Sequence, residues 1–123
     1  MNDEMKRVAD ALSALRTPAA PEEFDLHAAI AGALTAAGVA FDHEYRLAPR
    51  CRIDFRVGRV GVEVKKGRPA PSQLTRQIAR YLESDALDAL LVVAQQAVPL
   101  PAAIGGKPVE LFSLNRLWGV ALP

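Results

Sequence analysis

Cysteine and histidine are scarce in this chain: one cysteine, Cys51, and two histidines, His27 and His43, stand among 123 residues. A single cysteine excludes an internal disulfide framework, and the histidines are too few and too far from it in sequence to suggest a zinc site. Neither sign of charge dominates. Fifteen basic and 14 acidic residues leave a net charge of +1, so no global field steers the protein towards DNA, and binding would need a local basic patch. Long hydrophobic runs are missing as well. The longest apolar stretch, Ala28 to Phe41, is broken by Gly32, Thr35 and Gly38 and is too short to span a bilayer; the opening MNDEMKR leads into no secretory core. The expectation is a cytoplasmic protein with no membrane part. With 50% apolar and 24% charged residues, the composition fits one soluble globular domain without repeats or low-complexity segments.

The most informative segment is CRIDFRVGRVGVEVKK, Cys51 to Lys66. Gly58-Arg59 is a two-residue loop with glycine first, which suits a type II′ hairpin turn. That turn sets Val57 opposite Val60, Phe55 opposite Val62 and Ile53 opposite Val64 on an apolar face. The other face pairs Arg56 with Gly61, Asp54 with Glu63 and Arg52 with Lys65. Two carboxylates with Cβ atoms about 4.5–5.5 Å apart repel each other, and a divalent cation such as Mg²⁺, which prefers oxygen ligands, would offset the repulsion. Lys65 projects from the same face, where an ammonium could steady an attacking water or charge developing on a phosphate. The plainer alternative is a solvated face with diagonal ion pairs, Asp54 to Lys65 and Arg52 to Glu63.

Two amphipathic helices flank the hairpin. In the first, Pro21 takes the first helical position, Glu22 and Glu23 fill the first turn, and Gly38 is the stop signal. Leu26, Ile30, Ala33, Leu34 and Ala37 form its buried stripe, and Glu23 falls close to that stripe. His27 borders the stripe too, although nothing in its spacing demands a role, and both glutamates could simply stabilise the helix N-terminus. The second helix follows the stiff loop Gly67 to Pro71, with Ser72 as its N-cap, and runs to about Ser84. Leu74, Ile78 and Leu82 lie on one face beside Tyr81; Gln77 and Gln73 come next, then Arg76 and Arg80. Lys66, Arg68, Arg76 and Arg80 are the candidate phosphate contacts.

The remaining elements complete a sheet. Phe41 to Leu47 alternates as a first strand, with His43 on its apolar side and Glu44 as a minor metal candidate. Asp88 to Ala94 reads as a buried central strand reached by a helical crossover. A proline-bounded loop or short helix, a glycine turn and a strand from Pro108 to Ser113 follow. Leu117 to Leu122 would add or cover an edge strand, with Trp118 in packing. At the other end Met5, Val8, Leu12 and Leu15 form an apolar helical stripe, which must dock on its own domain or on a partner. Residues 1–20 thus read as an amphipathic helix with a Pro/Ala linker, and 21–123 as the main domain.

Asp54, eight intervening residues, then Glu63-Val64-Lys65 resembles the D…(D/E)xK signature of the PD-(D/E)xK nuclease superfamily. The order of elements from Pro21 to Ala94 is similar, and Gln77 with Tyr81 looks like the QxxxY element of its RecB-like branch. Ile53 stands where the signature often has proline, with little consequence for metal binding. The resemblance implies an α/β fold with a three-layer restriction-endonuclease-like core, a mixed sheet flanked by helices. It implies Mg²⁺, or Mn²⁺ in its place, held by Asp54, Glu63, the Val64 carbonyl and Glu23, with Glu22 as fallback. Lys65 would be catalytic, and Gln77 and Tyr81 would shape the site. The implied activity is phosphodiester hydrolysis by a DNA endonuclease, structure-selective or resolvase-like given its small size. A homodimer, through the N-terminal helix or an edge strand, is the economical assembly. The alternative is a noncatalytic nucleic-acid-binding or assembly subunit that keeps the fold.

Overall fold

The computed structural model describes residues 3–15 and 21–114. The chain runs α1 (Asp3–Leu12), α2 (Glu23–Ala36), β1 (Asp42–Ala48), β2 (Cys51–Val57), β3 (Val60–Lys65), α3 (Pro71–Leu82), β4 (Ala89–Ala94), β5 (Ala103–Ile104) and β6 (Lys107–Ser113). It is an α/β protein, and among the described residues six strands form one mixed sheet in the order β1-β2-β3-β4-β6-β5. β1, β2 and β3 pair antiparallel, β3, β4 and β6 pair parallel, and β5 returns antiparallel on β6. Parallel pairing of β3 with β4 requires a crossover, which α3 supplies. Among the described residues no helix is long and apolar enough to cross a membrane.

Sequence chemistry explains the junctions. Gly58 alone in the β2–β3 turn has positive φ, 56°, as a II′ turn requires, and Val57 faces Val60, Arg56 faces Gly61 and Phe55 faces Val62 as expected. α2 ends in a Schellman motif: Gly38 has φ 71°, its N–H donates to the Thr35 carbonyl at 3.0 Å, and the Val39 N–H donates to the Leu34 carbonyl at 2.9 Å. Those bonds satisfy carbonyls the helix would leave unpaired, and only glycine adopts that backbone without strain. The start of α2 differs from expectation: Glu22 is the N-cap and Pro21 precedes it. α3, by contrast, begins two residues earlier than expected, with Ala70 as N-cap in place of Ser72 and Pro71 at the first position, because proline's fixed φ suits that position and Ser72 then falls inside the helix. Gly105 and Gly106, both with positive φ, make the expected glycine turn, and the short strand β5 stands before it where a loop or short helix was expected.

The sheet separates two cores. α1 and α2 cover one face, where Val8, Leu12, Leu26, Ile30 and Leu34 meet Phe55, Val62, Val64, Leu91 and Val93. α3 covers the other, where Leu74, Ile78 and Leu82 join Ile53, Leu87, Leu90 and Val92. β4 is buried throughout, as a strand covered on both faces should be. The α1 stripe, including Met5 and Leu15, is buried within its own chain, so that surface is not left open for a partner. In α2, Leu26, Ile30 and Leu34 are buried as expected, whereas Ala37 is exposed. The apolar segment Leu117 to Leu122 and the Thr17–Ala20 linker lie outside the described residues.

Ile53 belongs to the α3 core, while Phe55 and Val57 belong to the opposite one, so β2 rolls over at Asp54 and Ile53 does not share a face with Val64. β1 breaks in step: His43 stacks on Phe55 at 4.6 Å, Tyr45 packs with the α3 core, and Glu44 between them has φ 56°. Gly61 makes room for the roll, since a Cβ there would lie 2.5 Å from Ile53 Cδ1 and 2.9 Å from Leu87 Cδ1.

Because Leu12 is fully buried within its own chain, Leu12→Ala is expected to lower stability by about 2–5 kcal/mol. Urea unfolding checks this, and the midpoint should not change with protein concentration; a concentration-dependent midpoint would make α1 an intersubunit element.

Candidate active site

The roll at Asp54 ends the β2–β3 ladder at Phe55 and Val62 and turns the Asp54 carboxylate towards β3. Asp54 Oδ2 accepts a 2.7 Å hydrogen bond from the Val64 backbone N–H. The acids are therefore not the opposed ladder pair that the register suggested. Glu63 and Lys65 do share the α3 side of β3, and Lys65 Nζ lies 3.2 Å from Glu63 Oε2. This same-strand pair replaces the diagonal pairs of the plainer alternative.

Glu63 is the one buried charged side chain among the described residues, 4% exposed. Burial, then the nearby Asp54 charge, push its carboxyl up to about 7, against the opposing pull of Lys65 and Tyr81. Its Oε1 is buried with no hydrogen-bond partner. Tyr81 is held beside it, its hydroxyl accepting a 2.8 Å hydrogen bond from Gln77 Nε2. Burial, reinforced by the Glu63 charge, raises the phenol above its ordinary range, so Tyr81 stays protonated. The i, i+4 spacing on α3 brings the expected Gln77–Tyr81 pair together at this carboxylate.

α2 brings further groups from the opposite side. Glu23, His27 and Asp54 each offer a ligand atom, all within 4.8 Å of one another. His27 Nε2 stands 3.7 Å from Asp54 Oδ2 and 3.9 Å from Glu23 Oε1, buried and without a hydrogen bond. Its Nδ1 lies 2.9 Å from His43 Nε2, so one ring donates to the other. When His27 is the donor, a bare Nε2 lone pair faces two carboxylates, an arrangement that a cation or proton between them relieves. Glu23 thus joins His27 and Asp54 from the start of α2, with its side chain 61% exposed and not turned in to the buried stripe. His27 and His43 are the residues that sequence reasoning undervalued: their meeting joins a helix to a strand 16 positions away, and spacing along either element carries no sign of it. Glu22, the fallback ligand, instead pairs with Lys66 at 2.8 Å.

Two cavities open beside this cluster. One, of about 340 Å³, is lined by Glu23, Phe24, His27, His43, Glu44 and Asp54. The other, of about 590 Å³, is bounded by Lys65, Lys66, Gln73, Gln77, Arg76 and Arg80. Three of the four proposed phosphate contacts, Lys66, Arg76 and Arg80, therefore share a cleft with Lys65. Arg68 is exposed and does not line that cleft. Comparison with protein-family models, curated proteins and solved structures finds no match.

Glu63 gives the site a signature in stability. Between about pH 4.5 and 7 the folded protein keeps a proton that the unfolded chain releases, so the Glu63 contribution falls as pH rises through that window. Glu63→Gln cannot ionise and is expected to remove that fall, leaving the variant about 1–3 kcal/mol more stable than the native protein at pH 8. Urea denaturation at pH 5 and pH 8 measures it, and an unchanged pH dependence in the variant would contradict the assignment.

Proposed function

We propose that the protein is a metal-dependent endonuclease of the PD-(D/E)xK type, its sheet and helices forming a restriction-endonuclease-like core, and that it hydrolyses phosphodiester bonds in DNA. The observation that carries this reading is the meeting of Asp54, buried Glu63 and Lys65 at one break in the sheet, with Glu23 and His27 reaching in from α2. The donor set suits a divalent cation, because it is rich in carboxylate oxygen and holds two buried polar atoms, Glu63 Oε1 and His27 Nε2, that have no hydrogen-bond partner.

Asp54 and Glu63, with the Val64 backbone and Glu23 or His27, would hold Mg²⁺ or Mn²⁺. Such an ion, when bound, lowers the pKa of a coordinated water and neutralises charge on a phosphate. Lys65, anchored 3.2 Å from Glu63, can orient the attacking water and share the charge that develops on the phosphate. Gln77 fixes Tyr81, which fixes the Glu63 carboxylate. Arg76, Arg80 and Lys66 can take the flanking phosphates, contacts that position a strand without reading its sequence. Within this reading the activity is structure-selective or resolvase-like. With the α1 stripe buried, a homodimer would use an edge strand such as β1.

The test is cleavage of labelled single-stranded, duplex, flap and four-way-junction DNA by the native protein and its Asp54→Ala and Lys65→Ala variants, in Mg²⁺, Mn²⁺ or EDTA. The native protein is expected to cut only with metal, and each variant to lose at least about 100-fold in rate. No cleavage of any substrate by the native protein would leave the noncatalytic binding subunit as the better account.

A further inference from the structure

We infer that Phe24 is a stacking platform for an unpaired nucleobase, so that the substrate carries a single-stranded or frayed nucleotide next to the scissile phosphate. The inference rests on the nuclease reading for the class of ligand and adds to it the strandedness of the substrate. Phe24 is the only large hydrophobic side chain among the described residues that is exposed, at 81%. It sits in the first turn of α2 between Glu23 and Asp25, and it lines the same cavity as Glu23, His27 and Asp54. Leaving a phenylalanine in water forfeits the burial free energy that such a side chain usually gains. No other large hydrophobic side chain among the described residues is exposed beside it, its chain neighbours Glu22, Glu23 and Asp25 are acidic, and a lone aromatic next to carboxylates is a poor centre for a protein interface.

The two cavities divide the chemistry of a nucleotide between them. Lys66, Arg76 and Arg80 give the larger cleft its positive charge, which suits phosphates. The smaller cavity contains Glu23, Glu44 and Asp54, which repel phosphate but leave the neutral π-face of a base free to lie on Phe24. The Glu22–Lys66 ion pair, 2.8 Å, links the start of α2 to the rim of the basic cleft. A strand crossing the Asp54–Glu63 cluster would keep its backbone on the cationic side and turn one base to Phe24. In a duplex that base is already stacked and paired, and the contact requires it to be free.

The experiment measures binding of a short fluorescein-labelled oligothymidylate and of a blunt duplex, with Ca²⁺ in place of Mg²⁺ to separate binding from turnover. The native protein is compared with Phe24→Ala and Phe24→Trp, and all three are also weighed by sedimentation. Phe24→Ala is expected to bind the oligothymidylate about 5- to 150-fold more weakly, the range one base–aromatic stack supplies, with duplex binding unchanged and Phe24→Trp binding like the native protein. Equal single-strand affinity of Phe24→Ala and the native protein would overturn the inference, as would a parallel loss on duplex. A dimer that Phe24→Ala splits, with oligothymidylate binding intact, would also overturn it and assign the residue to a second copy. If DNA is cut while Phe24→Ala has no effect on binding, only the stacking role fails; if stacking is measured but nothing is cut, the nuclease reading fails instead. Failure of the native protein to bind either probe would end both.

Discussion

Once β2 parts from β3 beyond the Phe55–Val62 pair, the Val64 N–H loses its strand partner in a sheet covered on both faces. A buried N–H left unpaired costs about 1–3 kcal/mol, and Asp54 removes that cost by accepting the bond at 2.7 Å. The other features of the site follow from this hydrogen bond. It fixes the Asp54 carboxylate near the sheet plane, within reach of His27 and Glu23 on one side and close enough to Glu63 on the other to disfavour its charge. It also accompanies the roll that sends Ile53 and Phe55 into opposite cores, which in turn requires Gly61 to have no side chain.

Electrostatics and burial conflict at the same place. Glu63 lies in the interior with a single cation, Lys65, on one oxygen, and the other oxygen has no hydrogen-bond partner. An isolated ion pair rarely repays the desolvation of a buried carboxylate, so a side chain chosen for stability alone would be apolar, like its strand neighbours Val62 and Val64. Strained electrostatics of this kind concentrate at functional sites. The surroundings match: cations gather in one cavity, and acids with a solvent-exposed aromatic gather in another.

Much of the fold was legible because its signals are local. Gly58-Arg59 set the register of the hairpin next to its turn, Gly38 ended α2, and the run from Asp88 to Ala94 announced the buried strand β4. The spacing of Leu74, Ile78 and Leu82 found the buried face of α3, and the same periodicity put Gln77 and Tyr81 together. What was missed depends on tertiary approach. Period-two alternation assumes an unbroken strand, so it could not foresee that Asp54 would leave the ladder. The His27–His43 contact joins two elements whose own patterns are ordinary. The α1 stripe announced a buried face without saying what would cover it, and the cover is its own chain.

We propose that the Asp54–Glu63 cluster is built for a divalent cation, and thermal unfolding of the native protein and of Asp54→Asn across a Mn²⁺ titration tests this most directly. A folded-state site gains about 2.7 kcal/mol when the ion is present at a hundred times its dissociation constant, so the native melting temperature should rise saturably while the variant's stays flat. A native protein that Mn²⁺ does not stabilise, or a variant stabilised equally, would contradict the account.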